Sequence, residues 1–160
     1  NETEEVVYYW VLHGRSVLYL DYAHTTNNVS TGTMYEISRM GATAPVHCTA
    51  TGKAMMAYLP RHELDEIWNA PFPALTDRTI TRKELMLIEL EKIRERGYSI
   101  DNMEHEYGVK GVGVPILNSE GFPIAAISVA GPSLRFDDTK IEYFAGILKK
   151  HVAEIRKQIP

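Results

Sequence analysis

A cysteine and a histidine stand side by side in the middle of the chain, at His47 and Cys48. A histidine beside a cysteine can activate it as a nucleophile, so Cys48 with His47, His62 or His105 would be the catalytic pair of a small hydrolase or transferase. Adjacent residues of an extended segment point to opposite sides, which places His47 and Cys48 poorly for sharing a proton. A lone cysteine is more typical of a small buried apolar residue. No hydrolase, zinc-protease or nucleotide-binding motif accompanies them. We therefore expect no catalytic residue, and keep the enzyme as an alternative.

Metal binding is the second chemistry that the side chains allow. Glu104, His105 and Glu106 follow Asp101 closely, and His47 could add a second imidazole. Carboxylates and imidazoles bind divalent ions, but the paired cysteines that make a zinc motif specific are missing. A solvated acidic loop is the preferred interpretation, with a metal ion as the alternative. We expect no metal and no cofactor.

Ligand binding is the third possibility, and it centres on residues 44–60, APVHCTATGKAMMAYLP. The small residues 49–52 precede an apolar run at 54–59, which predicts a short helix with Thr49 or Thr51 as its N-cap. Unpaired N–H groups and the dipole at a helix start favour an anion, and small side chains let it come close. The segment therefore predicts the floor of a site for a small carboxylate, and a capped core helix is the alternative.

Two polar residues elsewhere would complete such a site. Asp101 lies where a predicted strand enters a loop, and Ser128 interrupts the apolar run 124–130. A serine among apolar neighbours is either hydrogen-bonded to the backbone or presented to a ligand, and Asp101 is either a turn carboxylate or a ligand contact. Small ligands are usually held in an apolar cavity by a few convergent polar groups. The sequence does not show whether these two residues meet the helix start.

Composition narrows the class of protein. The chain has 160 residues, 44% of them hydrophobic and 24% charged, which is typical of one globular domain. A net charge of −4 argues against broad nucleic-acid contact by this segment. The single cysteine excludes a disulfide framework and fits a cytoplasmic location. No membrane span or signal peptide is predicted. The polar start at Asn1, without methionine, suggests a piece of a longer protein.

The secondary-structure pattern predicts an α+β fold, an antiparallel sheet with helices packed on it. Strands are expected at 6–12, 16–22, 98–101, 109–117 and 122–130, a short one at 33–38 after a loop at 24–32, and helices at 54–59, 61–68, 81–96 and 139–160. Capping boxes at Thr81 with Glu84 and at Thr139 with Glu142 would open the last two helices, and Gly97 would end the third. The first two strands are apolar at nearly every position, so at least one should be covered on both faces.

Four ordered blocks of this sequence resemble the IclR-type bacterial transcriptional regulators. Residues 45–54, PVHCTATGKA, are similar to the family pattern P-x-H-x-T-A-x-G-K-A. The TIT at 79–81 with the later IRERGY, the segment 101–109 and the strand AAISVAGP at 125–132 are similar to three further family blocks. The resemblance covers nearly the whole chain.

This resemblance implies the C-terminal effector-binding domain, a GAF-like fold that occupies residues 1–160 as one domain. In such regulators it follows a winged helix-turn-helix that binds operator DNA and that this chain lacks, and the protein acts as a homodimer or homotetramer. A small-molecule carboxylate effector would then modulate operator binding, often to control a repressor. Matched by motif, the effector-binding positions are Ala44, Ala50, Thr51, Asp101, Val109, Gly111 and Ser128.

The chain departs from the family pattern at three positions. Gly111 stands where some members carry a cysteine or a bulkier residue, Ala130 where a second serine is common, and Tyr107 where a small residue or proline is frequent. These changes suggest a larger and less polar cavity, suited to a medium-sized organic acid, aromatic acids included. Its carboxylate would lie at residues 49–52, and Asp101 would accept a hydrogen bond from its hydroxyl or amine. A third hypothesis is an interaction-only domain that assembles through residues 24–41.

Overall fold

The framework of the domain is an antiparallel sheet. The computed structural model describes residues 3–23 and 40–159. Within them the strands are β1 (Val6–His13), β2 (Ser16–Ala23), β3 (Thr43–Pro45), β4 (Ser99–Asn102), β5 (Val109–Leu117) and β6 (Pro123–Pro132). They form one six-stranded sheet in the order β3-β2-β1-β6-β5-β4. The two hairpins β1–β2 and β5–β6 therefore join through β1 and β6, with β3 and β4 at the edges.

Helices cover both faces of this sheet. The described helices are α1 (Ala50–Met56), α2 (Arg61–Ile67), α3 (Lys83–Arg96) and α4 (Asp138–Arg156), with a short 3₁₀ turn at Ser133–Arg135. Methionines and leucines of α1 to α3 form one core cluster, which also includes Val17 and Ala126. Phe144, Leu148 and Val152 of α4 form a second cluster with β5 and β6. No described helix is long and apolar enough to cross a membrane.

Side chains alternate between the two faces of the sheet along β5 and β6, so each residue faces either α4 or α1. Val112, Val114 and Ile116 of β5 belong to the cluster under α4. Because neighbouring strand residues face opposite sides, Gly111 and Gly113 face α1. In the same way Val129 faces α4 while Ser128 faces α1. The side of the sheet that meets α1 is thus built from small residues.

The predicted α+β fold and its two hairpins are confirmed, and Gly97 ends α3 in the left-handed region, at φ 77°. Thr49 is the N-cap of α1, whose first residue is Ala50, four residues before the apolar run that predicted it. The short strand β3 is missing from the prediction, since three residues carry no periodicity. The loop at 24–32 and the strand at 33–38 lie outside the described residues.

Both predicted capping boxes are wrong. Helix α3 follows Arg82, which makes no side-chain cap, and Thr81 lies before it. Helix α4 begins at Asp138 because Asp137 caps it: Asp137 Oδ1 accepts the backbone N–H of Lys140 at 2.8 Å. An aspartate two residues upstream offers a better cap than Thr139, so the helix starts earlier than the threonine-based motif indicates.

The prediction that β1 or β2 is covered on both faces is confirmed in part, by β1. Val7 and Val11 pack against the cluster that includes α4, whereas Trp10 and Leu12 pack against the cluster of α1 to α3. The cover is incomplete, since every residue of β1 is half-buried or exposed and only two residues of β2 are buried. The rings of Trp10 and Tyr19 also pack on each other, with centroids 5.1 Å apart.

Candidate functional site

A cavity of about 290 Å³ opens between the start of α1 and the small-residue face of the sheet. The structure brings all seven of the sequence-predicted effector-binding residues together around it. They come from four strands and one helix start: Ala44, Ala50, Thr51, Asp101, Val109, Gly111 and Ser128. Whether an effector contacts them stays a prediction.

Strand register explains why residues so far apart in the chain meet here. Asp101 pairs with Gly111, and Gly111 pairs with Ala130 on the next strand. One row further along the sheet, Ser128 pairs with Gly113 and with Tyr8. The carboxylate and the hydroxyl therefore lie on the same face, separated by positions that have small side chains or none. This arrangement leaves a hollow where larger residues would fill the space.

The close approach of α1 to β5 positions the helix start over that hollow. A Cβ at Gly113 would lie 2.6 Å from the carbonyl group of Ala50, so only glycine fits there. The Ser99 hydroxyl donates a hydrogen bond to the same carbonyl oxygen. Thr49 Oγ1 accepts the N–H of Gly52 at 3.2 Å and donates to Pro45 O at 2.9 Å. These contacts fix Ala50 and Thr51 at the cavity.

Three aromatic rings form the opposite wall. Tyr8 and Trp10 lie on β1, two residues apart and hence on one face, and Tyr19 lies beside them on β2. Tyr8 meets Tyr19 edge to face, with ring centroids 5.7 Å apart. The cavity is thus apolar and aromatic on one side and polar on the other, as is typical of sites for small amphipathic molecules.

Asp101 is buried, with an exposed fraction of 7%, and it lines the cavity while it also caps a turn. Its Oδ1 accepts the backbone N–H of Glu104 at 2.8 Å and of His105 at 3.4 Å. Burial nevertheless raises the pKa of Asp101 to about 7, against the effect of those bonds and of the Lys53 ammonium. Near neutral pH this side chain can therefore either accept or donate a hydrogen bond to a molecule in the cavity.

Two hydroxyls at the cavity make no hydrogen bond within the described part of the chain. Thr51 is 2% exposed and Ser128 is 5% exposed, and both line the cavity. A polar side chain that lines a cavity without a partner in the protein is available to a molecule bound there. Of the two interpretations of Ser128, the structure favours a hydroxyl presented to the cavity.

A buried ion pair next to the cavity was not predicted. Lys53 is 1% exposed, and its Nζ donates to Glu104 Oε1 at 2.5 Å and to Ile100 O at 2.6 Å. Glu104 is 5% exposed, so the prediction of a solvated acidic loop is wrong at this residue. Burial raises the pKa of Glu104, against the effect of the nearby Lys53 ammonium. The pair ties α1 to the loop that also carries His105 and Glu106.

Cys48 and His47 are placed for packing. Cys48 is completely buried, it does not line the cavity, and burial raises the pKa of its thiol to about 12, which disfavours the reactive thiolate. The His47 ring stacks on Phe72 with centroids 4.3 Å apart, and its Nε2 lies 2.9 Å from Pro73 O. Burial lowers the pKa of His47. These contacts give the enzyme hypothesis no support.

Metal ligands are not assembled in the described structure. Over residues 3–23 and 40–159, no three side chains of histidine, cysteine, aspartate or glutamate are grouped as a metal site requires.

Sequence reasoning missed the aromatic wall and the part that His105, Glu106 and Gly108 play at the rim, all of which line the cavity. The signal for the wall was present: Tyr8 and Trp10 alternate with neighbours on the other face of a predicted strand. Nothing in the sequence indicated that Tyr19 of the next strand would join them in register.

Comparison with known proteins identifies the class. The sequence profile of the family described as "Bacterial transcriptional regulator IclR C-terminal" matches residues 1–157. The chain belongs to this family of bacterial transcriptional regulators, and its α+β sheet is the fold of that C-terminal domain.

Individual relatives agree with this assignment. The regulator KdgR of Escherichia coli is 32% identical over 158 residues, which are 98% of this chain and 58% of KdgR. The crystal structure of Thermotoga maritima IclR superimposes with a TM-score of 0.87 at 34% identity, over 98% of this chain and 62% of that one. The inducer-binding domain of Acinetobacter PobR was solved as a double mutant with 3-hydroxybenzoic acid. It superimposes with a TM-score of 0.84 at 27% identity, over 96% of this chain and 89% of that one. The chain spans about six-tenths of the length of KdgR and of the Thermotoga protein.

Proposed function

We propose that this domain senses a small organic acid and controls the DNA binding of an attached module. The observation that carries the proposal is the cavity itself. In a family of transcriptional regulators, an apolar hollow of about 290 Å³ gathers Asp101, Thr51 and Ser128, and two of the three have an unused hydroxyl. Such a site is suited to a ligand with one polar end and one apolar end.

The two ends of the cavity suggest an aromatic acid. Its ring would pack against Tyr8, Trp10 and Tyr19, whose faces and edges favour stacked or edge-to-face partners. Its carboxylate would accept hydrogen bonds from the Thr51 and Ser128 hydroxyls and the first N–H groups of α1. PobR, a relative with the same fold, was solved with 3-hydroxybenzoic acid, which is a ligand of this shape. The volume of this cavity suits a molecule of that size.

Asp101 would serve a different part of the ligand. A carboxylate facing a second carboxylate is unfavourable unless one of them holds a proton. Asp101 would therefore accept a hydrogen bond from a ligand hydroxyl or amine, or, when protonated, donate one. Ala44, Ala50, Val109 and Gly111 would supply the apolar surface between these polar contacts.

The regulatory step would be a shift in population. A ligand that binds one arrangement of the whole protein better than another increases that arrangement, and so changes the affinity of a linked winged helix-turn-helix for operator DNA. We propose that the 160 residues form one domain of a larger cytoplasmic protein that is a homodimer or homotetramer and reads DNA through that other module. No catalytic role is proposed for Cys48 or His105.

A thermal-shift screen with aliphatic, hydroxy and aromatic carboxylates tests the proposal. A molecule that binds only the folded state adds about 2.7 kcal/mol to the free energy of unfolding at a hundred times its dissociation constant. We expect hydroxybenzoates to raise the melting temperature and straight-chain acids of equal charge to raise it less. Ser128→Ala should reduce the shift, while Ser119→Ala, in the β5–β6 turn, should leave it unchanged. A folded domain that responds to no acid would contradict the proposal.

A further inference from the structure

The exposed face of α4 carries an unexplained glycine. Gly146 lies in the middle of a nineteen-residue helix, where glycine destabilises the helix by about 0.5–1 kcal/mol relative to alanine. Among the described residues, no heavy atom lies within 4 Å of the position that a Cβ would occupy there. The domain on its own would therefore accept alanine at this position. Glycine leaves room for something that approaches from outside.

A groove surrounds this glycine. It has a volume of about 500 Å³ and is lined by Glu142, Tyr143, Gly146, Ile147 and Lys150. Tyr143 is 51% exposed although it is a large aromatic residue, and Ile147 is half-buried. Aromatic and aliphatic side chains around a notch in the backbone are typical of the centre of a protein interface.

The charges at the two ends of the groove are opposite. Glu142 precedes Gly146 by four residues and Lys150 follows it by four, so each lies about 6 Å along the helix axis from the glycine. A twofold axis through Gly146 that pairs two antiparallel copies of α4 would place each Glu142 opposite the other copy's Lys150. A parallel pairing would set like charges against each other. Glu142 and Lys150 are thus complementary between two copies in the antiparallel orientation and not in the parallel one.

We propose that α4 is a homodimerisation surface on which two copies of this chain pack antiparallel, crossing at Gly146. Tyr143 and Ile147 of each copy fill the groove of the other beside the crossing point. The antiparallel arrangement also places the positive end of each helix dipole beside the negative end of the partner's. The surface lies on the opposite side of the sheet from the cavity, because α4 packs on the other face. Its test is therefore independent of the ligand proposal.

Charge reversal and rescue test this orientation. Sedimentation of the 160-residue chain over a range of concentrations gives the dimer dissociation constant. Glu142→Lys and Lys150→Glu each turn two attractive pairs into repulsive ones, and each should raise that constant about tenfold or more. The double variant E142K/K150E restores opposite charges and should regain most of the affinity. Lys92→Glu, on the exposed side of α3, makes the same change in charge as Lys150→Glu and should leave the dimer dissociation constant unchanged.

A steric variant gives a second readout. Gly146→Gln should keep the helix, which circular dichroism and thermal unfolding check, and should abolish pairing by filling the notch. If the chain also assembles through another surface, the single reversals should halve the mass of that assembly. A chain that stays monomeric at all concentrations would overturn the proposal. So would an assembly whose mass and dissociation constant are the same for the wild type, both single variants, the double variant and Gly146→Gln.

Discussion

Asp101 is a carboxylate that lines the cavity and is buried at a cost in stability. Its carboxylate accepts two backbone N–H groups and so shapes the loop that borders the cavity, yet it is 93% removed from solvent, with 7% exposed. The nearby ammonium of Lys53 is already engaged by Glu104 and by a backbone carbonyl. Asp101 therefore carries the cost of burial with partial compensation, which is common where a group is kept for function.

The burial of Asp101 predicts how the free energy of unfolding depends on pH. Unfolded aspartate has a pKa of about 3.9, whereas that of folded Asp101 is about 7. Between these values the folded state holds a proton that the unfolded state has lost. The stability this provides is fully present below about pH 4 and is lost as pH rises through 7, by on the order of 4 kcal/mol. Glu104, whose pKa burial also raises, acts in the same direction.

Asp101→Asn should remove most of this dependence. The amide oxygen can still accept the N–H of Glu104, but it carries no charge to be buried. Urea unfolding at pH 5 and pH 8 measures the free energies, and the wild type should lose stability between them while Asp101→Asn stays nearly level. Asp101→Ala is the control for the lost hydrogen bonds and should be less stable at both pH values. If the wild type and Asp101→Asn lost the same unfolding free energy between pH 5 and pH 8, the raised pKa of Asp101 would not be the cause of the pH dependence.

At the scale of elements, the cavity depends on how closely α1 approaches β5. The helix start can lie over the strand because Gly113 has no side chain, and the Ser99 hydroxyl holds the Ala50 carbonyl there. The Lys53–Glu104 pair adds a second tie between α1 and the loop after β4. One short helix is therefore fixed beside the cavity at two places, Ala50 and Lys53.

Replacing either glycine of β5 tests this packing. In Gly113→Ala the new Cβ would lie 2.6 Å from the Ala50 carbonyl group, so α1 must shift, and we expect a loss of about 1–3 kcal/mol in unfolding free energy. Gly111→Ala, on the same strand and face, would meet its nearest atoms at 3.5 Å and should be almost neutral. Denaturant unfolding of both variants provides the comparison. Equal destabilisation by the two substitutions would contradict the close-approach argument.

Elements with strong local signals could be predicted from the sequence. The hairpin β5–β6 is marked by two apolar runs around a turn, and α4 by five buried residues at helical spacing. The errors arise where the signal is short or ambiguous. Strand β3 has three residues, and the true N-cap of α4, Asp137, stands two positions before the threonine that a capping-box pattern selects.

In the candidate site, too, some residues could be predicted from the sequence and others could not. Motif similarity named Asp101 and Ser128, and the structure places both at the cavity. The Lys53–Glu104 pair could not be predicted, because the two residues are 51 positions apart and nothing local indicates that a lysine in a helix is buried. Tyr19 joins the aromatic wall only through its pairing with Trp10 across a bulged register. Such contacts depend on tertiary register, which sequence periodicity does not specify.

At the scale of the whole molecule, the sheet separates two surfaces. One face carries the cavity under α1, and the other carries α4 with its exposed groove. Three strands contribute to both sides. Alternate residues of β5 and β6 face the cavity and α4, and β1 has Tyr8 and Trp10 at the cavity and Val7 and Val11 against the cluster of α4. These strands would connect a ligand in the cavity to assembly through α4.

The central claim is that an aromatic acid binds in the cavity beside Trp10, and fluorescence tests it directly. The chain has two tryptophans. Trp10 lines the cavity, whereas Trp68 packs against Phe72 and is not among the cavity-lining residues, so Trp68→Phe leaves one reporter at the site. Titrating this variant with hydroxybenzoates should change Trp10 emission saturably, at the concentrations that raise the melting temperature. A rise in melting temperature with no change in Trp10 emission would place the ligand elsewhere and contradict the account.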